Sequence, residues 1–407
     1  MENKKYKLTD ETIEVEGKTL YRIEALKEFR DVLPGVKGGF VESEKNLSHE
    51  GKCWIANNAC VYDNAVVRHD AIVYEQAIVK GNACISDSAK ILQNALITDN
   101  VTIYDSATVA GNACVCDEAS VYGNAKVVMD AKVCDFAEVY GRAVVSENAC
   151  VKDYAEVYGD AYVHGRALVC NRAQVYGFAN ITDMACVSEK SKVYGFAMVM
   201  NSSNIADNAQ VSDAFVTGNA RIAGDAIVKS NNDYIVFHCW FNEKIGNITW
   251  TRSNDNYCNG LFIKTSEELL NETENCKDHT EYKWMVDYVE HVKEISKDIL
   301  EKETFKIKQT RKRKDNTMEN ASTRLEYNEK ILELIKDEVS DGTYALLEEK
   351  VHEFPQQRFG QLIVNYLYIS NTVEKEVQKI FPSYPQRDPF FEESSETCER
   401  LLKKSKN

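Results

Sequence analysis

The stretch from Ala119 to Arg142 reads ASVYGN-AKVVMD-AKVCDF-AEVYGR, which is four six-residue units in succession. Each unit begins with alanine, has valine two residues later and ends in two variable residues. The aliphatic column runs from Ile55 to Val211 through 27 consecutive positions, all Val or Ile. The alanine column, from residue 59 to 209, has three exceptions: Val101, Ser191 and Ser203. Because side chains alternate along a strand, each unit predicts a short strand with Ala and Val pointing inward, followed by a corner.

The corners follow a pattern of their own. Between Asp63 and Asp207 the first corner position is Gly, Asp or Asn in 19 of 25 units, and these residues tolerate a left-handed or tight backbone. After Val211 the next small and aliphatic residues, Ala214 and Val216, come five positions on rather than six. This deletion predicts a slip toward a cap, since open coil ends need covering.

Tyrosines indicate how many strands make one coil. They recur every 18 residues, which is three units, at Tyr104, Tyr122, Tyr140, Tyr158, Tyr176 and Tyr194. The period predicts a three-sided parallel coil in which these rings form one ladder at the inter-strand spacing of about 4.8 Å. About ten coils would then make a triangular prism roughly 45–50 Å long.

This pattern resembles the hexapeptide-repeat left-handed parallel β-helix, and the resemblance covers about residues 53–230. The left hand is implied by that resemblance only, because parallel crossovers generally favour the right hand. The opening (TLYRIEALKEF, GGFVES), the WTRSND strand with its SEELL helix, and the RFGQLIVN…DPFFEES tail resemble uncharacterised bacteriophage and prophage proteins. That second resemblance implies a mobile-element setting and no activity.

The predicted fold class is mainly β, with a small α+β module and a C-terminal helical domain after the β-helix. The segments are an N-terminal β cap at 1–52, the β-helix at 53–232, the module at 233–300, a basic linker at 301–322 and the helical domain at 323–407. YIVFHCWF and NITWTRS indicate strands of the module, and SEELLNETENC and YKWMVDYVEHVKEI indicate its helices.

Composition limits the function classes. The net charge of −15 argues against general binding of phosphate backbones. The sequence contains no run of about 18 apolar residues, so no membrane span is predicted. The thirteen cysteines show no framework spacing, and no export signal precedes them, so we expect reduced thiols in the cytoplasm of a bacterial host.

Catalysis has no support in the sequence, and we predict no enzyme, cofactor or metal. Hexapeptide acyltransferases use a catalytic histidine and a long loop that interrupts the repeat, whereas this repeat is unbroken. His69 and His164 have no evident carboxylate neighbour in the sequence and are interpreted as surface residues. No phosphate loop, nucleophile elbow or HExxH motif is found.

Cysteines gather on one predicted side of the prism. The 18-residue period places seven there, together with Ile78, Leu96 and Leu168: Cys60, Cys114, Cys116, Cys134, Cys150, Cys170 and Cys186. A thiolate metal site at Cys114, Cys116, Cys134 and Cys150 is one interpretation. Because a flat sheet holds thiols poorly in tetrahedral geometry, we favour a buried contact face instead, covered by a second copy of the chain or by the C-terminal helices.

Four aspartates occupy one corner in successive coils: Asp99, Asp117, Asp135 and Asp153. The simplest interpretation is that each bonds the backbone of its own turn. The alternatives are a bound cation or a phosphate-like array that a nucleic-acid-binding protein would accept as DNA.

Specific recognition is expected in the irregular parts of the chain. The predicted binding residues are Trp250, Arg252, Asp255, Tyr257 and Arg358. The leading hypothesis is a non-enzymatic phage-type scaffold that engages a host or phage macromolecule, with a protein as the expected partner, through its C-terminal modules or a face of the β-helix. The alternatives are an acidic inhibitor of a nucleic-acid enzyme and a degenerate acyltransferase. Nucleic acid is expected to bind, if at all, through the basic run Lys306–Lys314.

Overall fold

The computed structural model describes residues 4–241, 244–275 and 282–294. The predicted basic linker and helical domain lie outside these residues. The described part is mainly β and is dominated by a parallel β-solenoid of about ten coils, as the repeat predicts. None of its helices has the length and apolar character needed to cross a bilayer.

Each coil contributes one short strand to each of three parallel faces. The cysteine face consists of the strands Cys60–Val61, Ile78–Val79, Leu96–Ile97, Cys114–Val115, Lys132–Val133, Cys150–Val151, Leu168–Val169, Cys186–Val187, Asn204–Ile205 and Arg221–Ile222. The tyrosine face consists of Val66–Val67, Cys84–Ile85, Thr102–Ile103, Ser120–Val121, Glu138–Val139, Glu156–Val157, Gln174–Val175, Lys192–Tyr194, Gln210–Ser212 and Ile227–Val228. The third face consists of Trp54–Ile55, Ile72–Val73, Lys90–Ile91, Thr108–Val109, Lys126–Val127, Val144–Val145, Tyr162–Val163, Asn180–Ile181, Met198–Val199 and Phe215–Val216.

Alanine and valine fill the interior in the way the columns predict. The aliphatic column from Ile55 to Val211 is completely buried, and so is the alanine column beside it. Backbone amides bond the carbonyl groups of the next coil, as from Tyr122 to Val139 at 3.0 Å. The coils are therefore held together by a continuous apolar core and by parallel hydrogen-bond ladders.

The corner column adopts the left-handed conformation in every coil. From Asn57 to Asp207, all first corner residues have φ between 56° and 79°. After Val211 the pairing offset falls from 18 to 17 residues, since Phe215 pairs with Met198 and Arg221 with Asn204. The deletion seen in the sequence thus shortens one corner and leaves the strand register intact.

The N-terminal segment covers the first coil. The antiparallel strands Tyr6–Val15 and Lys18–Ala25 lead to Lys37–Val41, which pairs parallel with Cys60–Val61 and so extends the cysteine face. Two glycines allow the close approach: a Cβ at Gly38 or Gly39 would lie 2.5–2.6 Å from atoms of the first coil. A short 3-10 helix, Glu44–Asn46, follows.

The predicted α+β module, called the C-terminal module below, covers the last coil at the other end of the solenoid. A 3-10 helix, Asn231–Asp233, leads into an antiparallel sheet of Tyr234–Phe241, Lys244–Thr251, Asn256–Cys258 and Ile263–Thr265. The helices Ser266–Asn275 and 282–294 follow. Their shared core contains Phe237, Ile248, Trp250, Tyr257, Leu269, Tyr282, Met285, Val286 and Val289.

Candidate functional site

The cysteine face brings the seven predicted thiols together. Strand pairing places Cys114 beside Lys132, and Lys132 beside Cys150, on successive coils. Four of the thiol residues are nearly inaccessible in the single chain: Cys60 at 6%, Cys116 at 9%, Cys134 at 5% and Cys170 at 8% exposure. Outward side chains about 4.8 Å apart cover one another, so this burial needs no second chain. The role of the face as an interface stays a prediction.

The thiols differ in their acidity. All ten cysteines whose side chains the structure describes are free. Burial raises the pKa of Cys134 to about 12 and also raises the pKa of Cys150. Cys186 is the opposite case, because the Cys170 thiol donates a hydrogen bond to its sulfur and lowers its pKa to about 7.

The four corner aspartates Asp99, Asp117, Asp135 and Asp153 form an acidic ladder whose carboxylates accept hydrogen bonds from backbone amides. Asp117 N donates to Asp99 Oδ2 at 3.4 Å, Asp135 N to Asp117 Oδ2 at 3.2 Å, and Asp153 N to Asp135 Oδ2 at 3.1 Å. Each carboxylate thus accepts from the corner of the next coil, and the expectation that it bonds its own turn is wrong. A thiol hydrogen bond from Cys116 and the amide of Asp135 lower the pKa of Asp117.

Two histidines take part in the same inter-coil contacts. His69 occupies a corner position, and its Nδ1 lies 3.3 Å from Asp87 N and 2.9 Å from Asp87 Oδ1. His164 Nε2 lies 3.0 Å from Asn180 Oδ1, and its Nδ1 is 4.0 Å from Glu147 Oε1. The expectation that neither histidine has a carboxylate neighbour is wrong, because a residue 17 or 18 positions away is adjacent in a coil.

The tyrosine ladder forms as the 18-residue period predicts. Five successive ring pairs from Tyr104 to Tyr194 have centroids 4.8–5.1 Å apart and planes within 6° of parallel. Tyr122 donates to Glu138 at 2.9 Å and Tyr140 donates to Glu156 at 3.1 Å. Burial, followed by these carboxylates, raises the pKa of both phenols.

Two of the predicted binding residues of the module lie in its interior, whereas Arg252 and Asp255 are partly exposed. Trp250 and Tyr257 are completely buried, so neither ring is exposed to a partner, and binding through this loop stays a prediction. Trp250 Nε1 donates to Asp255 Oδ1 at 2.8 Å, and Lys293 Nζ donates to Asp255 Oδ2 at 2.7 Å. Arg252 lies over the Trp250 ring at 5.7 Å and donates to Asn232 O at 3.1 Å. These contacts tie the sheet to the helix 282–294.

The same region caps the last coil through contacts that the sequence did not reveal. Arg221 N donates to Thr249 Oγ1 at 2.8 Å, Ile227 N to Ser253 Oγ at 2.6 Å, and Phe215 N to Asn231 Oδ1 at 2.7 Å. One edge amide on each face therefore receives a side-chain acceptor, and the three acceptors come from separate polar segments. The polar loop after Trp250 has this structural role, because an uncapped strand edge invites pairing with other chains.

An exposed aromatic pair was missed by sequence reasoning. Trp284 is 61% exposed and Tyr288 is 45% exposed; their rings stack at 5.8 Å on one side of the helix 282–294. Leu261, in the loop between the strands Asn256–Cys258 and Ile263–Thr265, is 93% exposed. The i, i+4 spacing of Trp284 and Tyr288 places both rings on the same face of a helix, and it is the feature of the sequence that indicates this pair.

The remaining predicted sites, Arg358 and Lys306–Lys314, lie outside the described residues. No protein-family model matches the chain, and no curated protein matches its sequence.

Proposed function

We propose that this protein is a non-enzymatic scaffold of the hexapeptide-repeat type, encoded by a bacteriophage or prophage, that binds a protein partner through its C-terminal module. The observation that supports it is the exposed pair Trp284–Tyr288 on the helix 282–294. Tryptophan and tyrosine dominate the binding energy of protein interfaces, and large exposed rings otherwise lower solubility. The regular solenoid would serve as the rigid support of this surface.

We place this function in the cytoplasm of a bacterial host. The ten cysteines whose side chains the structure describes are all free thiols, and thiols in such number persist in a reducing compartment.

The test is affinity capture from host lysate with the full chain and two variants. The double variant Trp284→Ala/Tyr288→Ala should lose the captured partner, because truncating an aromatic anchor costs about 2 kcal/mol or more, roughly thirtyfold in Kd. Met184→Ala is the matched control, since Met184 is 59% exposed on the solenoid; it should capture as well as the wild type. Equal capture by the double variant would reject the module as the binding surface.

The acidic ladder supports the second candidate, an inhibitor that imitates nucleic acid. Its carboxylates recur once per coil, and the lowered pKa of Asp117 keeps that group ionised. Capture that is abolished by Asp99→Asn/Asp117→Asn and reversed by moderate salt would favour this candidate over the module. The third candidate, a degenerate acyltransferase, has less support, because inter-coil contacts account for His69 and His164.

A further inference from the structure

Two thiols and one carboxylate converge where the cysteine face meets the corner of the acidic ladder. The Sγ atoms of Cys116 and Cys134 and a carboxylate oxygen of Asp117 all lie within 4.8 Å of one another. The Cys116 Sγ–Asp117 Oδ2 distance is 3.1 Å. Tetrahedral zinc with Zn–S bonds of about 2.3 Å needs donor atoms roughly 3.5–3.8 Å apart. Modest side-chain rotations therefore bring these donors to the required spacing.

The corner removes the objection that a flat sheet cannot surround a metal ion. Cys116 and Cys134 project from adjacent strands of one face, whereas Asp117 belongs to a left-handed corner with φ 62°, and its carboxylate approaches from the edge of that face. A tetrahedral ion held by three protein donors keeps its fourth position for a water molecule. The donors thus come from two coils and from two directions.

The charges around the cluster suit an ion bound by thiolates. Lys132 pairs with Cys114 on one neighbouring strand and with Cys150 on the other, so its ammonium group belongs to the same face as the thiols. An ammonium at the centre of the thiols offsets part of the negative charge of a multi-thiolate site. Cys116 and Cys134 are 9% and 5% exposed, so water competes weakly for the bound ion.

We propose that Cys116, Asp117 and Cys134 form a binding site for one thiophilic divalent cation of the zinc class. Soft sulfur donors select zinc and cadmium over magnesium and calcium. Binding displaces the thiol protons, including the one that Cys116 shares with Asp117. The ion links two successive coils in the middle of the solenoid.

The test uses the full, reduced, metal-free chain titrated with Co²⁺. One equivalent should produce thiolate-to-cobalt charge-transfer absorption and the visible bands of tetrahedral Co²⁺, and Zn²⁺ should abolish both. Cys116→Ser and Cys134→Ser should remove the charge-transfer band, and Asp117→Asn should weaken Co²⁺ binding at least tenfold. Affinity should fall between pH 8 and pH 6, because protons compete for the sulfurs.

Cys84→Ser is the matched control, because Cys84 is a partly exposed thiol on the tyrosine face; it should bind Co²⁺ like the wild type. Zn²⁺ should also raise the melting midpoint of the wild type and of Cys84→Ser but not that of Cys134→Ser. Circular dichroism of the serine variants checks that the solenoid persists. Charge-transfer absorption that survives in Cys116→Ser/Cys134→Ser, or that never appears in the wild type, would overturn the proposal.

Discussion

Ser191 and Ser203 both take positions of the buried alanine column, and they differ in their hydrogen-bond partners. Ser191 Oγ donates to Ser188 O at 2.6 Å and lies 3.2 Å from Ile205 O. Ser203 Oγ is equally buried and has no hydrogen-bond partner. A buried hydroxyl without a partner costs about 1–3 kcal/mol, whereas a satisfied one contributes about 1 kcal/mol.

We therefore expect opposite effects from one substitution at the two positions. Ser203→Ala, which restores the alanine column, should stabilise the solenoid by about 1 kcal/mol, and Ser191→Ala should destabilise it by about 1 kcal/mol. The measurement is the midpoint of urea unfolding, followed by the far-ultraviolet signal of the sheets. A shift of the same sign in both variants would contradict the assignment of partners.

Individual residues were predictable where the repeat fixed their environment. The burial of Val139 and the inward direction of Ala137 follow from the columns alone. Trp250 was not predictable in this way, because a tryptophan beside a polar loop is compatible with both a core and a binding surface. Its burial depends on the helix 282–294, whose Lys293 reaches Asp255, and no local pattern gives that contact.

The tyrosine ladder should make the free energy of unfolding of the solenoid depend on pH. Burial and the neighbouring carboxylates raise the folded-state pKa of Tyr122 and Tyr140 above the unfolded value of about 10. Above pH 10 the unfolded chain releases these protons more readily than the folded chain, so the free energy of unfolding falls as pH rises.

Tyr122→Phe/Tyr140→Phe should reduce this alkaline loss. We expect the melting midpoint of the wild type to fall more steeply between pH 9 and pH 11 than that of the double variant. Glu138→Gln is the control for the charge contribution, and its slope should lie between the two, because it removes one of the carboxylates that raise the pKa of Tyr122. Identical slopes in all three proteins would show that the ladder phenols do not titrate differently on unfolding.

At the scale of the whole molecule, repetition explains why the fold was predictable. Twenty-seven aliphatic positions in step specify strand length, inward face and coil period many times over. The handedness was implied only by resemblance. The N-terminal segment and the C-terminal module contain no sequence repeat. Their strands were therefore predicted in outline, but their hydrogen bonds with the terminal coils, such as the one between Ser253 and Ile227, were not. The acceptors in these contacts are ordinary polar residues of loops and strands.

If the binding function lies in the C-terminal module, the protein should tolerate the deletion of one complete coil of the solenoid. Deleting residues 160–177 joins Gly159 to Phe178, keeps all three faces in register and brings Tyr158 onto Tyr194. It also leaves Cys116, Cys134 and the module intact. We expect a soluble solenoid that captures the same partner with unchanged Kd and binds one Co²⁺, because each coil contacts only its neighbours.

Deleting only residues 160–168 provides the control for register. This shorter cut joins Gly159 to Val169 and shifts the six-residue phase by half a unit, so the alanines that follow no longer continue the interior column. Polar residues at the junction would have to enter the core, and a buried unpaired charge destabilises by several kcal/mol. We expect this variant to be insoluble, or to lose the cooperative melting that the 18-residue deletion retains. If the 18-residue deletion stays folded and still loses its partner, the binding surface lies on a face of the solenoid, and the acidic ladder replaces Trp284 as the leading candidate.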